Sequence, residues 1–197
     1  MQDALIVLLS YLIGSIPFSL LVGKLGGVDV RKVGSGNPGA TNVQRALGWG
    51  MGFAALAGDL MKGLIGVALA LYFGGDQLIA FCFAAAVVGH CYPIFLKFKG
   101  GKGVASAAGG LLLAAPKVFV LLVLIFLGIV VLCRYVSLGS VVVALTLPAA
   151  LILVYPDRAP LAVAGLFIAA LVIYRHRENI KRLRAGNETM IGTPKNT

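Results

Sequence analysis

Residues 116–158 read PKVFVLLVLIFLGIVVLCRYVSLGSVVVALTLPAALILVYPDR. Two apolar runs, 118–132 and 136–155, stand back to back with only Cys133, Arg134 and Tyr135 between them. Read as apolar runs between breakers, they are two membrane helices joined by a single charged turn. The same reading carried outward gives helices over 4–25, 50–73, 77–96 and 104–115 on one side and 160–174 on the other. A bilayer crossing needs roughly 20 apolar residues, so the 197 residues, 59% of them apolar with a mean hydropathy of +0.97, are used up by spans and short connections. The expectation is an all-α integral membrane protein, one transmembrane domain over 1–197, with no room for a separate soluble domain. The chain opens on Asp3 rather than a basic segment, and its first apolar run outlasts a signal peptide, so that helix is retained.

Arg134 decides the count. The run 104–115 is short for a span, and a re-entrant segment competes with it. With seven spans and the N-terminus outside, the cytoplasmic side receives Lys24, Arg31, Lys32, Arg45, Lys97, Lys99, Lys102, Arg134, Arg175, Arg177, Lys181, Arg182, Arg184 and Lys195, which is 14 of the 17 basic residues. Lys117 and Arg158 fall outside, Lys62 lies within a span, and Asp3, Asp76 and Asp157 face out. Deleting the fourth span would move Arg134 and the basic tail to the outer side, against the positive-inside rule. Seven helices are therefore expected, the fourth one short, with the C-terminus cytoplasmic.

The net charge of +10 is accounted for by this topology. The basic residues sit between apolar runs without exposed aromatics among them, so no nucleic-acid partner is expected. Cys82, Cys91 and Cys133 lie in apolar segments with no CxxC spacing and read as core packing. No carboxylate cluster suggests a metal, and no cofactor is expected.

Four stretches carry polar groups that the fold alone does not require. Gly34-Ser35-Gly36-Asn37-Pro38-Gly39-Ala40-Thr41-Asn42 forms the first cytoplasmic loop, with Arg45 three residues beyond. Its glycines permit positive-φ turns that aim successive N–H groups to one side, Ser, Thr and Asn add donors, and Arg45 offers a planar fork for phosphate. The competing reading is a flexible turn built from ordinary turn residues. In the second cytoplasmic loop, 89–106, Lys99 and Lys102 bracket Gly100 and Gly101, Gly103 follows, and a helix starts directly behind, so helix N–H groups and lysines would face one anion. Here the alternative is topogenic lysines plus a turn. His90, in the apolar part of this stretch, is either a structural histidine or a ligand contact. Asp59 and Lys62 stand at i and i+3 inside the second span, either as a structural ion pair or as part of the site. Finally, His176, Asn179 and Arg182 follow at three-residue steps and would share a polar stripe if the last helix ran on.

Taken in order, these stretches resemble the bacterial acyl-phosphate:glycerol-3-phosphate acyltransferases, membrane enzymes of phospholipid synthesis. The likeness rests on Gly14-Ser15-Ile16-Pro17-Phe18, SGNPGATN with Arg45, Gly58-Asp59-Leu60-Met61-Lys62-Gly63, the GHxxPxFLxFKGGKGVAS stretch and the HxxNxxRxxxGxE tail, and it spans the chain. Ser106 stands where Thr would be equally expected.

The resemblance implies transfer of an acyl group from acyl-phosphate to the 1-hydroxyl of glycerol 3-phosphate, giving lysophosphatidic acid and phosphate. It places the protein in the bacterial cytoplasmic (inner) membrane with its site on the cytoplasmic side. The soluble enzyme that makes acyl-phosphate is the implied protein partner. Residue by residue, it makes Ser35, Gly36, Asn37, Gly39, Thr41 and Asn42 the donor-phosphate loop, with Arg45 and Lys102 on phosphate. Gly100, Gly101 and Gly103 line the donor site, His176 and Asn179 serve glycerol 3-phosphate beside Arg182, and Glu188 is structural.

Neither histidine is followed by an Asp five positions on, because Phe95 and Lys181 stand there, and no GxSxG elbow exists. Direct attack on an already activated anhydride is therefore expected, with a substrate phosphate or His176 taking the proton. A transporter for organic phosphate would use the same groups but would need polar residues through the spans, which beyond Asp59 and Lys62 offer almost none.

Overall fold

The computed structural model describes residues 1–192, so Lys195 lies outside the described residues. Every regular element in it is helical, and the chain divides into two units that meet at Ala114 and Ala115.

In the first unit the expected helix over 4–25 is two helices, α1 (Gln2–Gly14) and α2 (Phe18–Leu25). Pro17 causes the break, because it has no N–H to give and its ring clashes with the preceding turn. After an irregular stretch comes α3 (Ala40–Leu47), where a loop is expected as far as Asn42, so Thr41, Asn42 and Arg45 all stand on a helix. Gly39, in extended conformation, begins it. Then follow α4 (Trp49–Phe73), α5 (Asp76–Cys91), a 3-10 turn at Ile94–Leu96, and the short α6 (Val104–Ala114).

The central helix is α4, packed against α1, α2, α3, α5 and α6. It approaches α6 backbone to backbone. A Cβ on Gly63 would strike the Ser106 carbonyl, and one on Gly109 would strike the Leu60 carbonyl, which is the small-residue contact by which helices associate in lipid. A separate apolar cluster of Leu20, Val30, Val43 and Ala55, with Leu47 and Met51 against it, ties α2 and α3 to α4 and so fixes the loop between them.

The second unit holds α7 (Pro116–Cys133), α8 (Val136–Val154), α9 (Ala159–Arg175) and α10 (Arg177–Arg184). Arg134, at φ 63°, takes the left-handed position after α7 that glycine usually fills. Its carbonyl accepts from Ile191 N–H at 2.8 Å and its guanidinium donates to the Ile191 carbonyl at 3.2 Å, so the tail is pinned to this turn. The helix expected to carry His176, Asn179 and Arg182 on one stripe is bent by 57° at His176. The bend falls where the apolar sequence gives way to RENIKRLR, a segment too charged to remain in hydrocarbon. Cys82 and Cys91 are buried as expected, whereas Cys133 is exposed at the end of α7.

Among the described residues, five helices are long and apolar enough to cross a membrane: Gln2–Leu25, Trp49–Phe73, Asp76–Leu96, Pro116–Cys133 and Val136–Val154. The bent pair Ala159–Arg175 with Arg177–Arg184 makes a sixth if it is one span. The 11 residues of α6 give about 16 Å at 1.5 Å per residue, roughly half a hydrocarbon core. Length alone therefore does not make it a seventh.

Candidate active site

The loop between α2 and α3 is shaped from inside by one amide. Asn42, 2% exposed, donates through Nδ2 to the carbonyls of Val30 (2.7 Å) and Val33 (3.0 Å) and accepts the Ser35 N–H at Oδ1 (3.1 Å). Gly34 and Gly36 flank Ser35 at φ +58° and +67°, the left-handed region, as the sequence leads one to expect. Ser35 itself is exposed at the turn, and Asn37 N–H lies 3.5 Å from its Oγ. Arg31 is committed within the same loop, since its guanidinium binds both Asp29 oxygens at 3.0 and 2.7 Å. That bond holds the Asp29 carboxyl below the usual carboxylate range. Arg45 follows one helical turn after Asn42, half-buried.

The loop between α5 and α6 folds back on the end of α5. Gly100 N–H donates to the Cys91 carbonyl at 3.2 Å and Gly101 N–H to the His90 carbonyl at 3.0 Å. Both glycines are sterically required, since a Cβ on Gly100 would enter the His90 carbonyl and one on Gly101 would enter the His90 ring. Gly103, at φ +89°, turns the chain into α6, leaving half-buried Lys102 directly before that helix. Lys99, expected to face the same anion as Lys102, is exposed at the tip of the loop.

Asp59 and Lys62, left by the sequence as either a structural ion pair or part of the site, pair at 2.8 Å with both side chains almost fully buried, and they are the centre of a larger cluster. Asp59 also accepts from Ser19 Oγ at 2.7 Å and has His90 Nδ1 at 3.5 Å. Lys62 donates to the Ile16 carbonyl at 3.1 Å, in the break between α1 and α2, and Ser106 Oγ of α6 donates to the Asp59 carbonyl at 3.0 Å. One buried carboxylate thus joins α2, α4 and α5, and its residue reaches α6 through the main chain. A small cleft opens at this point, lined by Pro17, Pro38, Asp59, Lys62, His90, Gly100 and Gly101. The first loop, the second loop and the buried ion pair therefore converge on one place in the first unit.

The tail residues form their own cluster in the second unit. Glu188 is buried and accepts from Ser137 Oγ (2.9 Å), Asn179 Nδ2 (2.7 Å) and Arg182 Nε (2.7 Å). Burial pushes its carboxyl up, but these three donors outweigh burial and hold it below its ordinary value. His176, 3% exposed, has Nδ1 2.8 Å from the Val172 carbonyl. A carbonyl only accepts, so Nδ1 carries the hydrogen and Nε2 bears the lone pair in the neutral ring.

Several participants are missed in the sequence. Ser19 and Ser137 sit in apolar runs, where a lone polar residue is the sole signal, and the Ile16 carbonyl gives none. Among the described residues no three His, Cys, Asp or Glu side chains gather as metal ligands would.

A family model described as glycerol-3-phosphate acyltransferase matches residues 4–186. The glycerol-3-phosphate acyltransferase of Syntrophomonas wolfei is 50% identical over 192 residues, covering 97% of this chain and 98% of that one. The enzyme of the same name from Geobacter sulfurreducens is 46% identical over 190 residues, covering 95% and 97%. The fold matches the crystal structure of PlsY, an integral membrane glycerol 3-phosphate acyltransferase, in its glycerol 3-phosphate form, with a TM-score of 0.93, 42% identity and coverage of 98% and 97%. The lysophosphatidic acid form of that protein matches with a TM-score of 0.86.

Proposed function

The chain belongs to the glycerol-3-phosphate acyltransferase family, and on that premise we propose that it moves a fatty acyl group from acyl-phosphate to the 1-hydroxyl of glycerol 3-phosphate. Lysophosphatidic acid and inorganic phosphate are released, in the first acylation of bacterial phospholipid synthesis. The observation that carries this reading is the convergence of Pro38 from the Ser35 loop with Gly100 and Gly101 on one cleft, beside the Asp59 cluster.

In this reading Ser35, Gly36, Asn37, Gly39 and Thr41 hold the donor phosphate, with Gly100, Gly101 and Gly103 lining the site. Arg45 and Lys102 neutralise phosphate charge. Asn42, whose amide is spent on the main chain, shapes the loop. His176, Asn179 and Arg182 serve glycerol 3-phosphate, and Glu188 orients the latter two.

Acyl-phosphate is a mixed anhydride and already activated. The hydroxyl oxygen bonds to the acyl carbon, the acyl C–O bond to phosphate breaks, and phosphate leaves with the bonding pair. The hydroxyl proton passes to His176 Nε2 or to a substrate phosphate oxygen. No acyl-enzyme is formed, so the protein's task is to orient two phosphorylated molecules and stabilise charge.

The seven-span topology, with the N-terminus outside and the site on the cytoplasmic face of the inner membrane, follows from the basic loops. It lets the soluble producer of acyl-phosphate deliver its product directly. The test is purified protein in detergent given glycerol 3-phosphate and either acyl-phosphate or acyl-CoA. Lysophosphatidic acid is expected from acyl-phosphate alone; formation from acyl-CoA at equal rate would overturn the donor assignment. A transporter would yield none from either.

A further inference from the structure

The tip of the second loop has a form that holding an anion between glycines does not require. Ile94, Phe95 and Phe98 are 47%, 60% and 56% exposed, and Lys97 and Lys99 are exposed beside them. This is not slack chain. Lys97 and Phe98 are consecutive non-glycine residues in the left-handed region, at φ 50° and 62°. Phe98 N–H is bonded to the Pro93 carbonyl at 2.9 Å, and Lys99 N–H to the Leu96 carbonyl at 3.1 Å. A conformation that glycine would adopt freely is instead imposed on an aromatic and a cation, and it holds both at the surface.

The location limits what covers them. The tip continues the membrane-crossing segment Asp76–Leu96 and so stands at the end of a span. Phenylalanine rings at a surface segment bury at the boundary of head groups and acyl chains, and lysines there reach lipid phosphates while their stems stay in apolar surroundings. The sequence favours anionic lipid, because no Asp or Glu occurs anywhere from Gln77 to Tyr155. We infer that residues 94–99 form a grip on anionic lipid head groups, with Phe95 and Phe98 inserted at the bilayer surface and Lys97 and Lys99 on lipid phosphate. The hairpin is tied through Gly100 and Gly101 to the carbonyls of Cys91 and His90, so the grip also sets the depth of the Gly100–Gly103 loop relative to the bilayer surface. The inference rests on membrane embedding alone and stands whichever acyl donor is used.

The experiment uses the full chain with Trp49, its one tryptophan, replaced by Phe and a reporter introduced as Phe98→Trp. Phe95→Trp is the second reporter should the first variant not fold. The protein is reconstituted in vesicles of phosphatidylcholine and phosphatidylglycerol, with one lipid or the other brominated near the head-group end of its chains. Blue-shifted emission is expected, with stronger quenching by brominated phosphatidylglycerol. The preference should fall by a factor of about five for each of Lys97→Gln and Lys99→Gln. Equal quenching by the two lipids overturns the grip. Emission that neither lipid quenches also overturns it and gives the tip to a protein partner or a second copy.

Discussion

At the scale of single residues, Asp59 carries the greatest burden. It is buried with Lys62 at 2.8 Å, and Ser19 and His90 face the same carboxylate. Removing one partner of such a pair strands the other charge, at a cost of about 3–5 kcal/mol, whereas replacing both by apolar groups of similar size is far milder. Asp59→Ala is therefore expected to lower the thermal midpoint in detergent sharply, and the double change Asp59→Leu with Lys62→Met to recover most of that loss. His176 poses a chemical question instead. With Nδ1 held by the Val172 carbonyl, Nε2 is the nitrogen able to take a proton. His176→Ala is expected to cut turnover by about 10²-fold or more if the ring is the base. Near-parental turnover at saturating substrate assigns the proton to a substrate phosphate. The spacing of Asp59 and Lys62 is legible in sequence because a helix places i and i+3 on one face. The contribution of Ser19, His90 and Ile16 is not, because long-range contacts leave no periodic trace.

Elements were legible according to how apolar they are. The long runs end within two residues of their expected limits, since lipid dictates both composition and length, except that the helix expected over 77–96 stops at Cys91 and the one over 4–25 breaks at Pro17. What escaped reading is polar. Helix α3 begins Ala-Thr-Asn and has no continuous apolar run to announce it, and the bend at His176 marks the point where charge forces the chain out of lipid. The tail beyond that bend is held by Glu188, and this gives it a pH dependence with a definite sign. Its carboxyl lies lower in the folded protein than in the unfolded chain. Its contribution is therefore complete above an unfolded value of about 4.3 and is lost as the pH falls through the lower folded value. The protection of the amides of residues 185–191, taken relative to the intrinsic exchange rate at each pH, is expected to fall in the parent as the carboxyl is protonated on acidification. Glu188→Gln, which loses the charge-assisted bond to Arg182, should show fast exchange already at pH 7, with about 1–3 kcal/mol of stability gone.

For the whole molecule, the distribution of basic residues makes the strongest demand. Among the described residues five or six helices satisfy length and composition, while α6 is too short to cross by itself. The positive-inside rule nevertheless needs a crossing there to keep Arg134 with the other cationic loops. Reporter fusions after Lys102 and after Arg134 are expected to report the cytoplasm and a fusion after Lys117 the outer side. A cytoplasmic signal after Lys117 would make α6 re-entrant and reduce the count. The candidate site was legible to the extent that its loops are long ordered motifs. Its three-dimensional convergence on Pro38, Gly100 and Gly101 was not, because nothing in the order of residues says that the break at Pro17 opens a cleft between them.

That break also has a bearing on how the protein is made. The Ile16 carbonyl, at the interruption of the first helix, accepts from Phe18 N–H at 3.0 Å and takes its second bond from the ammonium of Lys62, 46 residues later. A chain leaving the ribosome presents the interrupted helix well before its cation exists. An interrupted helix is poorly tolerated in hydrocarbon while its bonds to the rest of the chain are missing, so the first segment has reason to wait at the translocation machinery until the second has emerged. The unit of insertion is then expected to be a hairpin, and a ribosome stalled with the first segment emerged but Lys62 still inside it should leave the amino-terminal segment extractable by alkaline carbonate.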